Sequence, residues 1–405
     1  MTVQDLGSLP QSRAPEPDTD LLIIGAGPFG LALAALCQDE GLDPLVVGKP
    51  MEFWQANMPD GMYLRSASDW HLDPSGDATI ERFLNGRGLT PADAEPLSRQ
   101  MYLDYTRWFQ QQKGINPLPE YVRQLDVLED GGPRFRATLE DGRTLTARNV
   151  AVAVGFKYFK HEPPDLLGRL PTGRSSHTCD LVDFSALAGK RVLILGGRQS
   201  AFEWAALLHE AGASAVHVSH RHDSPAFTTA DWSWVGPLVD AMVDDPAWFR
   251  SLAPGEQEAV RYRLWAEGRL KVEPWLEARV RRDTVHVWPH TELVTCEEGP
   301  DGSLGVTLSN GERLEVDHVI LATGYRVRIE QVPFLARGNL LPRLETRDGF
   351  PVLDTHFQTN IPGLFITSMA AAQDFGPFFG FTISVRASAR LIAQAVRSPV
   401  SSPVR

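Results

Sequence analysis

One arrangement occurs twice in this chain of 405 residues and limits its fold more than any other feature. An apolar strand, a glycine-rich turn, a helix and a second apolar strand follow one another from about residue 20, and again from about residue 190. In the first copy, residues 21–24 run into Gly25-Ala26-Gly27-Pro28-Phe29-Gly30, the helix-forming stretch behind them stops at Gly41, and residues 45–47 form the next apolar run. In the second copy, residues 191–195 lead into Gly196-Gly197-Arg198-Gln199-Ser200-Ala201, a helical stretch and the run 215–219. Each copy has a hairpin signal after it. Residues 135–139 and 144–146 flank Glu140-Asp141-Gly142 ahead of a strand at 150–154, and residues 306–308 and 313–315 flank Ser309-Asn310-Gly311 ahead of a strand at 316–322. Strands alternating with helices in this order predict an α/β fold with two nucleotide-binding units. An insertion at 232–285, rich in Trp, Arg and Glu, interrupts the second.

Composition narrows the partners. With 39 Lys and Arg against 51 Asp and Glu, the net charge of −12 argues against a nucleic-acid surface. Cys37, Cys179 and Cys296 stand far apart, so neighbours in sequence offer neither a metal knuckle nor a redox dithiol, and no metal site is expected. No apolar run reaches the length of a membrane span, and residues 1–19 lack the pattern of a signal peptide. The expectation is a cytoplasmic protein with a mobile leader and no membrane partner; self-association stays open.

The first glycine motif has the strand before it and the helix after it that a dinucleotide site needs. Gly25 makes the turn, Gly27 lets backbone approach a pyrophosphate, and Gly30 allows helix and strand to pack closely. Pro28 suits the first helical position, and with Phe29 it opens a helix whose free N–H groups favour an anion. A carboxylate for the adenosine ribose is expected at the end of the second strand, but Gly48 and Lys49 stand there, so altered ribose contacts are expected. In the second motif, Arg198 stands beside Gly196 where backbone normally comes closest to the pyrophosphate, and its planar fork suits phosphate oxygens. Ser219, His220 and Arg221 end the next strand without a carboxylate, which favours a 2′-phosphate and hence NADPH over NADH. Thr323-Gly324-Tyr325 closes the second unit and permits a close backbone approach to a cofactor or linker. Gly376-Pro377-Phe378 precedes a helix expected over 381–396, whose N-terminus can face an electron-rich ring. The irregular run from Phe53 to His71 reads as a loop lining a pocket.

Together these motifs resemble the two-dinucleotide-binding flavoproteins, and among them the class B flavin monooxygenases, with the N-hydroxylating amine monooxygenases most similar in pattern. The resemblance spans residues 20–396. It rests on Gly25–Gly30, on Phe53-Trp54 followed by Gly61-Met62-Tyr63-Leu64, on the Gln199-Ser200-Ala201 portion of the second motif, and on Asp317 through Leu321-Ala322-Thr323-Gly324-Tyr325. Three positions depart from the family: Gly48 replaces a Glu, Arg198 replaces a Gly, and a Phe-Gly signature before a His is reduced to Gly173 and His177 behind Pro171. The resemblance implies two Rossmann-like domains, the NADPH domain inserted into the FAD domain. The parts expected are a tail at 1–19, the first FAD segment at 20–165, the NADPH domain with its helical insertion at 166–317, the second FAD segment at 318–396, and a tail at 397–405. It further implies hydride transfer from NADPH to FAD, reaction with molecular oxygen to a C4a-hydroperoxyflavin, and oxygen transfer to a small-molecule nucleophile, an amine nitrogen being favoured. Trp54, Met62 and Arg65 are then expected at the flavin with the Gly376–Phe378 loop, in a catalytic setting, and the tryptophans of the insertion around the substrate. Two other readings fit the same motifs: an NADPH-dependent flavoprotein oxidase or dehydrogenase without oxygen transfer, and a degenerate dinucleotide-binding sensor.

Overall fold

The computed structural model describes residues 16–129 and 134–397. The leader is therefore described only from residue 16, and Thr19 is already part of a strand; all but the first residue of the tail at 397–405 lies outside the described residues.

The first unit is built on strand β1 (Thr19–Ile24), helix α1 (Pro28–Asp39), β2 (Pro44–Val47), β3 (Val122–Val127), β4 (Phe135–Leu139) and β5 (Thr144–Val152), in the sheet order β2-β1-β5-β4-β3. The hairpin arm and the apolar strand expected as two elements are one continuous strand, β5. Its first half pairs antiparallel with β4, and its second half runs parallel to β1 with Leu22 opposite Val150. A late strand, Leu364–Ile366, joins β5 in parallel from the other side. Residues Leu31 to Cys37 of α1 are apolar on every face because the helix is buried on every face, between this sheet and the C-terminal helix Val385–Arg397. Each such leucine contributes roughly 1.5–3 kcal/mol on burial. That helix starts at Val385, later than expected, because residues 377–384 form two short 3₁₀ turns first.

The second unit has β6 (Ser175–His177), β7 (Arg191–Leu195), the helix Gln199–Glu210, β8 (Ala215–His220) and the strands Val285–Pro289 and His318–Leu321. All five strands are parallel. A three-stranded antiparallel sheet, Leu293–Glu298, Leu304–Leu308 and Arg313–Val316, covers one face. The strand His318–Leu321 sits between β7 and β6, so the chain cannot return to the first unit at residue 318 as expected; it returns after Tyr325. Asp317 sets that strand's register by accepting hydrogen bonds from the Arg191 N–H at 2.8 Å and from its guanidinium at 3.0 and 3.2 Å.

Two crossings join the units and hold each other. The His161 N–H donates to Gly324 O at 2.9 Å, the Arg326 N–H donates to Phe159 O at 2.8 Å, and Thr323 Oγ1 donates to His161 O. The insertion leaves the second unit and docks on the first. Val235, Val239, Met242 and Leu264 join the first unit's core, and Arg250 donates to the carbonyls of Leu353 and Asp354 at 2.8 and 2.9 Å. Among the described residues, no helix is long and apolar enough to cross a membrane.

Candidate active site

A cleft with about 970 Å³ of space, open to solvent, runs along the first unit from the glycine turn to the C-terminal 3₁₀ turns. Gly25, Gly27, Pro28, Phe29, Gly48, Lys49 and Trp54 line it, as expected from sequence. Gly27 is the N-cap of α1, no side chain caps that helix, and the direction a Cβ of Gly27 would take is open. Gly30 packs the other way, where a Cβ would overlap Gly25 O. Gly48 has φ +145, and a Cβ there would come within 3.0 Å of Ala26 N, so the missing carboxylate has a steric reason. A cradle open at Gly27 and closed at Gly30 and Gly48 fits a dinucleotide pyrophosphate.

Several lining residues escaped the sequence reading. Glu52, four residues past Gly48, binds Lys157 at 2.6 Å and lies 3.8 Å from Lys49, while Lys157 also donates to the Tyr121 hydroxyl at 2.7 Å. Burial opposes the Glu52 charge, yet the hydrogen bonds from Lys157 and Tyr121 and the two lysines outweigh it and hold the carboxyl below its ordinary range. Ser368 and Met369 follow the strand Leu364–Ile366 into the cleft. Ser368 holds a left-handed backbone, φ +64, unusual for a residue with a Cβ, and its buried Oγ has no hydrogen-bond partner in the protein. A short apolar run ending in Thr-Ser, behind the Pro-Gly turn at 362–363, was the available signal.

Other expected residues lie elsewhere. Arg65 is turned away from the cleft into the insertion: Nε donates to Glu273 at 2.8 Å, and the terminal nitrogens donate to Gly268 O at 2.7 Å and Lys271 O at 3.3 Å. It positions the insertion. Met62 packs against the second unit's core. Gly376, Pro377 and Phe378 are absent from the cleft wall because they pack against the insertion, with a Gly376 Cβ 3.1 Å from the Phe249 ring and Phe378 against Trp234; Phe379, Gly380, Phe381 and Thr382 take their place. Thr323, Gly324 and Tyr325 serve the crossing, where Tyr325 packs against Phe156, Phe53 and His177. Of the insertion tryptophans, Trp232 stands between Arg65 and Phe381, whereas Trp265 lies over the Arg198 guanidinium at 4.8 Å and Trp275 packs on Tyr63.

In the second unit, Arg198 is the N-cap of the helix Gln199–Glu210, which has no side-chain cap, and its Nη1 is buried without a partner. Gly196, φ +146, has no room for a Cβ beside Ala322 O. Ser200 is exposed on the first turn, and Gln199 Oε1 accepts from the Glu273 N–H at 3.2 Å. Ser219 does not face a ligand: its hydroxyl is buried against Thr291 Oγ1 at 2.8 Å. His220 is buried against Gly197, and Arg221 is exposed just beyond the strand.

Between the units, Glu203 is 1% exposed and accepts the Tyr63 N–H at 3.1 Å. Burial raises its pKa to about 7 against the smaller opposing pull of that hydrogen bond and of Arg279. A carboxyl raised above its unfolded value binds its proton more tightly when folded, so its contribution is fully present below about pH 4.5 and is lost as pH rises to about 7. Glu203→Gln is therefore expected to stabilise the protein by roughly 1–3 kcal/mol at pH 8 and to change little at pH 4.5, as measured by urea unfolding at the two pH values. Equal effects at both would remove the assignment.

All three cysteines are buried and free, and none lines the cleft. Among the described residues, no cluster of three or more His, Cys, Asp or Glu side chains could hold a metal ion.

The fold recurs in solved structures. The ornithine N-hydroxylase of Kutzneria sp. 744 superposes with a TM-score of 0.76 at 17% identity, covering 94% of this chain and 99% of that one. The L-lysine 6-monooxygenase of Pseudomonas syringae gives 0.70 at 21% identity, covering 93% and 99%. By sequence, the ferredoxin–NADP reductase of Nitrobacter hamburgensis is 25% identical over 355 residues, 86% of this chain and 82% of that protein. The pyridine nucleotide-disulphide oxidoreductase pattern matches residues 22–246, and a second pattern of the same description matches 261–370. With two parallel sheets, two glycine turns and these matches in hand, the chain belongs to the pyridine nucleotide-disulphide oxidoreductase family and is an oxidoreductase.

Proposed function

We propose that the protein is an FAD- and NADPH-dependent monooxygenase that hydroxylates the nitrogen of a small amine. FAD, when bound, supplies a hydride acceptor and the means to activate molecular oxygen. The first unit's cleft would hold it, with the pyrophosphate at Gly27 and the α1 N-terminus, and with Glu52 as the carboxylate for the ribose hydroxyls in place of the residue lost at Gly48. The second unit would hold NADPH, with Arg198 toward the pyrophosphate and Arg221 toward the 2′-phosphate.

The observation that carries the reading is the docked insertion. An element of the second unit lies against the aromatic wall of the first unit's cleft, where Trp232 meets Phe381, and Arg65 pins it there. Such an element, packed behind that wall without lining the cleft itself, would stiffen the side of the cleft where water must be kept from the reacting groups, which oxygen transfer needs and simple electron transfer does not. The shared fold of the ornithine and lysine hydroxylases supports it. The test is holoprotein supplied with NADPH, isotopically labelled oxygen and a panel of primary amines. Label in a hydroxylamine is the expected product. NADPH consumption yielding only hydrogen peroxide across the panel would count against it.

The sequence likeness to ferredoxin–NADP reductases favours a second reading, a reductase passing electrons to a protein or quinone acceptor. Rapid reduction of such acceptors with no labelled product would select it. Under either reading, Arg221→Ala is expected to raise the KM for NADPH about tenfold or more and leave that for NADH within about twofold, in steady-state assays.

A further inference from the structure

Arg198 opens the helix of the second cradle, and the side chains that bear on its guanidinium come from the insertion. Its Cζ stands over the ring of Trp265, 4.8 Å from the ring centre, at the end of the insertion helix Pro254–Trp265. Burial and then the like charge of Arg269 work against the Arg198 cation. An aromatic face attracts a guanidinium yet leaves the N–H groups at the edge of the fork free for oxygen acceptors. Nη1 is buried and has no hydrogen-bond partner in the protein. The fork is therefore held but not satisfied, the condition in which a phosphate oxygen completes it. The next residue is tied to the same stretch of chain, since Gln199 Oε1 accepts the Glu273 N–H at 3.2 Å. Between these two contacts the insertion makes a turn of π-helix, Ala266–Leu270, a rare form that gathers at functional sites. Trp265 remains 38% exposed, so its removal leaves no sealed cavity in the core.

We propose that Trp265 is a positioning residue for the pyridine nucleotide: by holding the Arg198 fork for the pyrophosphate, it couples occupancy of the second cradle to docking of the insertion. The inference rests on the assignment of the pyridine nucleotide to this unit. With the insertion docked, the fork is ordered before the nucleotide arrives, and less binding energy is lost in immobilising it. With a phosphate in the fork, the guanidinium is fixed from its edge and in turn fixes the ring that lies over it. Such coupling is reciprocal, so the factor by which docking tightens the nucleotide is the factor by which the nucleotide opposes undocking. Arg198 stands where the family pattern has a glycine, and a glycine there would offer Trp265 nothing to hold. The insertion thus reads whether the second unit is loaded.

The experiment uses oxidised holoprotein and NADP+, so that no turnover intervenes, and combines calorimetric titration with limited trypsin digestion of residues 232–280. Saturating NADP+ is expected to slow cleavage within the insertion of the unmodified protein about tenfold, a result that needs no variant. Trp265→Ala is expected to keep its FAD, bind NADP+ about tenfold more weakly, and show no protection even when saturated. Trp265→Phe, which restores a ring face, should recover most of both effects. In an Arg198→Gly background, Trp265→Ala should change the NADP+ dissociation constant by no more than about twofold, whereas a general loosening of the insertion would act with or without the arginine. Unchanged NADP+ affinity in Trp265→Ala, an equal loss in the Arg198→Gly background, or no protection of the unmodified insertion by bound NADP+ would overturn the role of Trp265 while leaving the second unit as the nucleotide site. Absence of saturable NADP+ binding to the unmodified holoprotein would overturn that assignment and the inference with it.

Discussion

Gly27→Ala is expected to leave the fold standing and strip the flavin. A Cβ at Gly27 meets no protein atom within 4 Å, so the apoprotein should melt within about 2 °C of the unmodified protein, given that 1 kcal/mol shifts a domain of this size by only a few degrees. The same Cβ would point into the open space beside the α1 N-terminus where we propose that the pyrophosphate lies, and a clash worth about 3 kcal/mol would raise the FAD dissociation constant about a hundredfold. Gly30→Ala provides the contrast. Its Cβ would overlap the carbonyl of Gly25, so the turn itself must shift and the protein should lose stability with or without flavin. Fluorescence titration of FAD alongside thermal melts of both apoproteins separates the two effects. A destabilised Gly27→Ala or full flavin retention would mean that the pyrophosphate does not lie there.

Arg65→Ala is expected to release the insertion. The side chain is 17% exposed and its ion-pair partner Glu273 is 13% exposed, so the substitution leaves a largely buried carboxylate and three carbonyl oxygens, those of Gly268, Glu267 and Lys271, without their donor. Breaking such a pair costs about 2–4 kcal/mol. The cost should fall on residues 232–280 rather than on the two sheets, so limited trypsin digestion should cut within the insertion at least tenfold faster while FAD content is maintained. With water admitted to the reacting end, NADPH consumption should continue but yield peroxide in place of product. Arg65→Lys should recover little of this, because one ammonium cannot serve the carboxylate and the carbonyls that the guanidinium fork spans. Wild-type digestion kinetics in Arg65→Ala would show that the insertion is held by other means.

The parts most legible in the sequence were those fixed by local chemistry. Strand, glycine turn and helix follow each other at both motifs because only glycine fits at Gly25, Gly30 and Gly196, and such steric needs are written in the residue itself. Pairings between distant segments were not legible. The sequence does not show that the second half of β5 runs beside β1, that His318–Leu321 is a middle strand of the second sheet, or that Leu364–Ile366 reaches β5, since each depends on partners more than 100 residues away. The site divides the same way. The place of Gly27 in the cleft follows from its motif, but whether Arg65 points at the cleft or at the insertion depends on where the insertion lands, and Glu52 and Ser368 acquire meaning only once Lys157 and the glycine turn are beside them. Ser219 and His220 are adjacent in sequence yet face opposite ways, because alternate residues of a strand point to opposite sides of its sheet.

The central claim is that the two units form one oxygen-activating enzyme, with the insertion shielding the reacting end. Its most direct test is an absorbance trace recorded by stopped flow after anaerobic, NADPH-reduced holoprotein is mixed with oxygenated buffer, with and without the amine panel. The expected result is a transient spectrum belonging to neither reduced nor oxidised flavin, shortened by a reactive amine and by Arg65→Ala. A single-phase return to the oxidised spectrum with stoichiometric hydrogen peroxide, identical with and without amines, would contradict the claim and leave the protein a reductase.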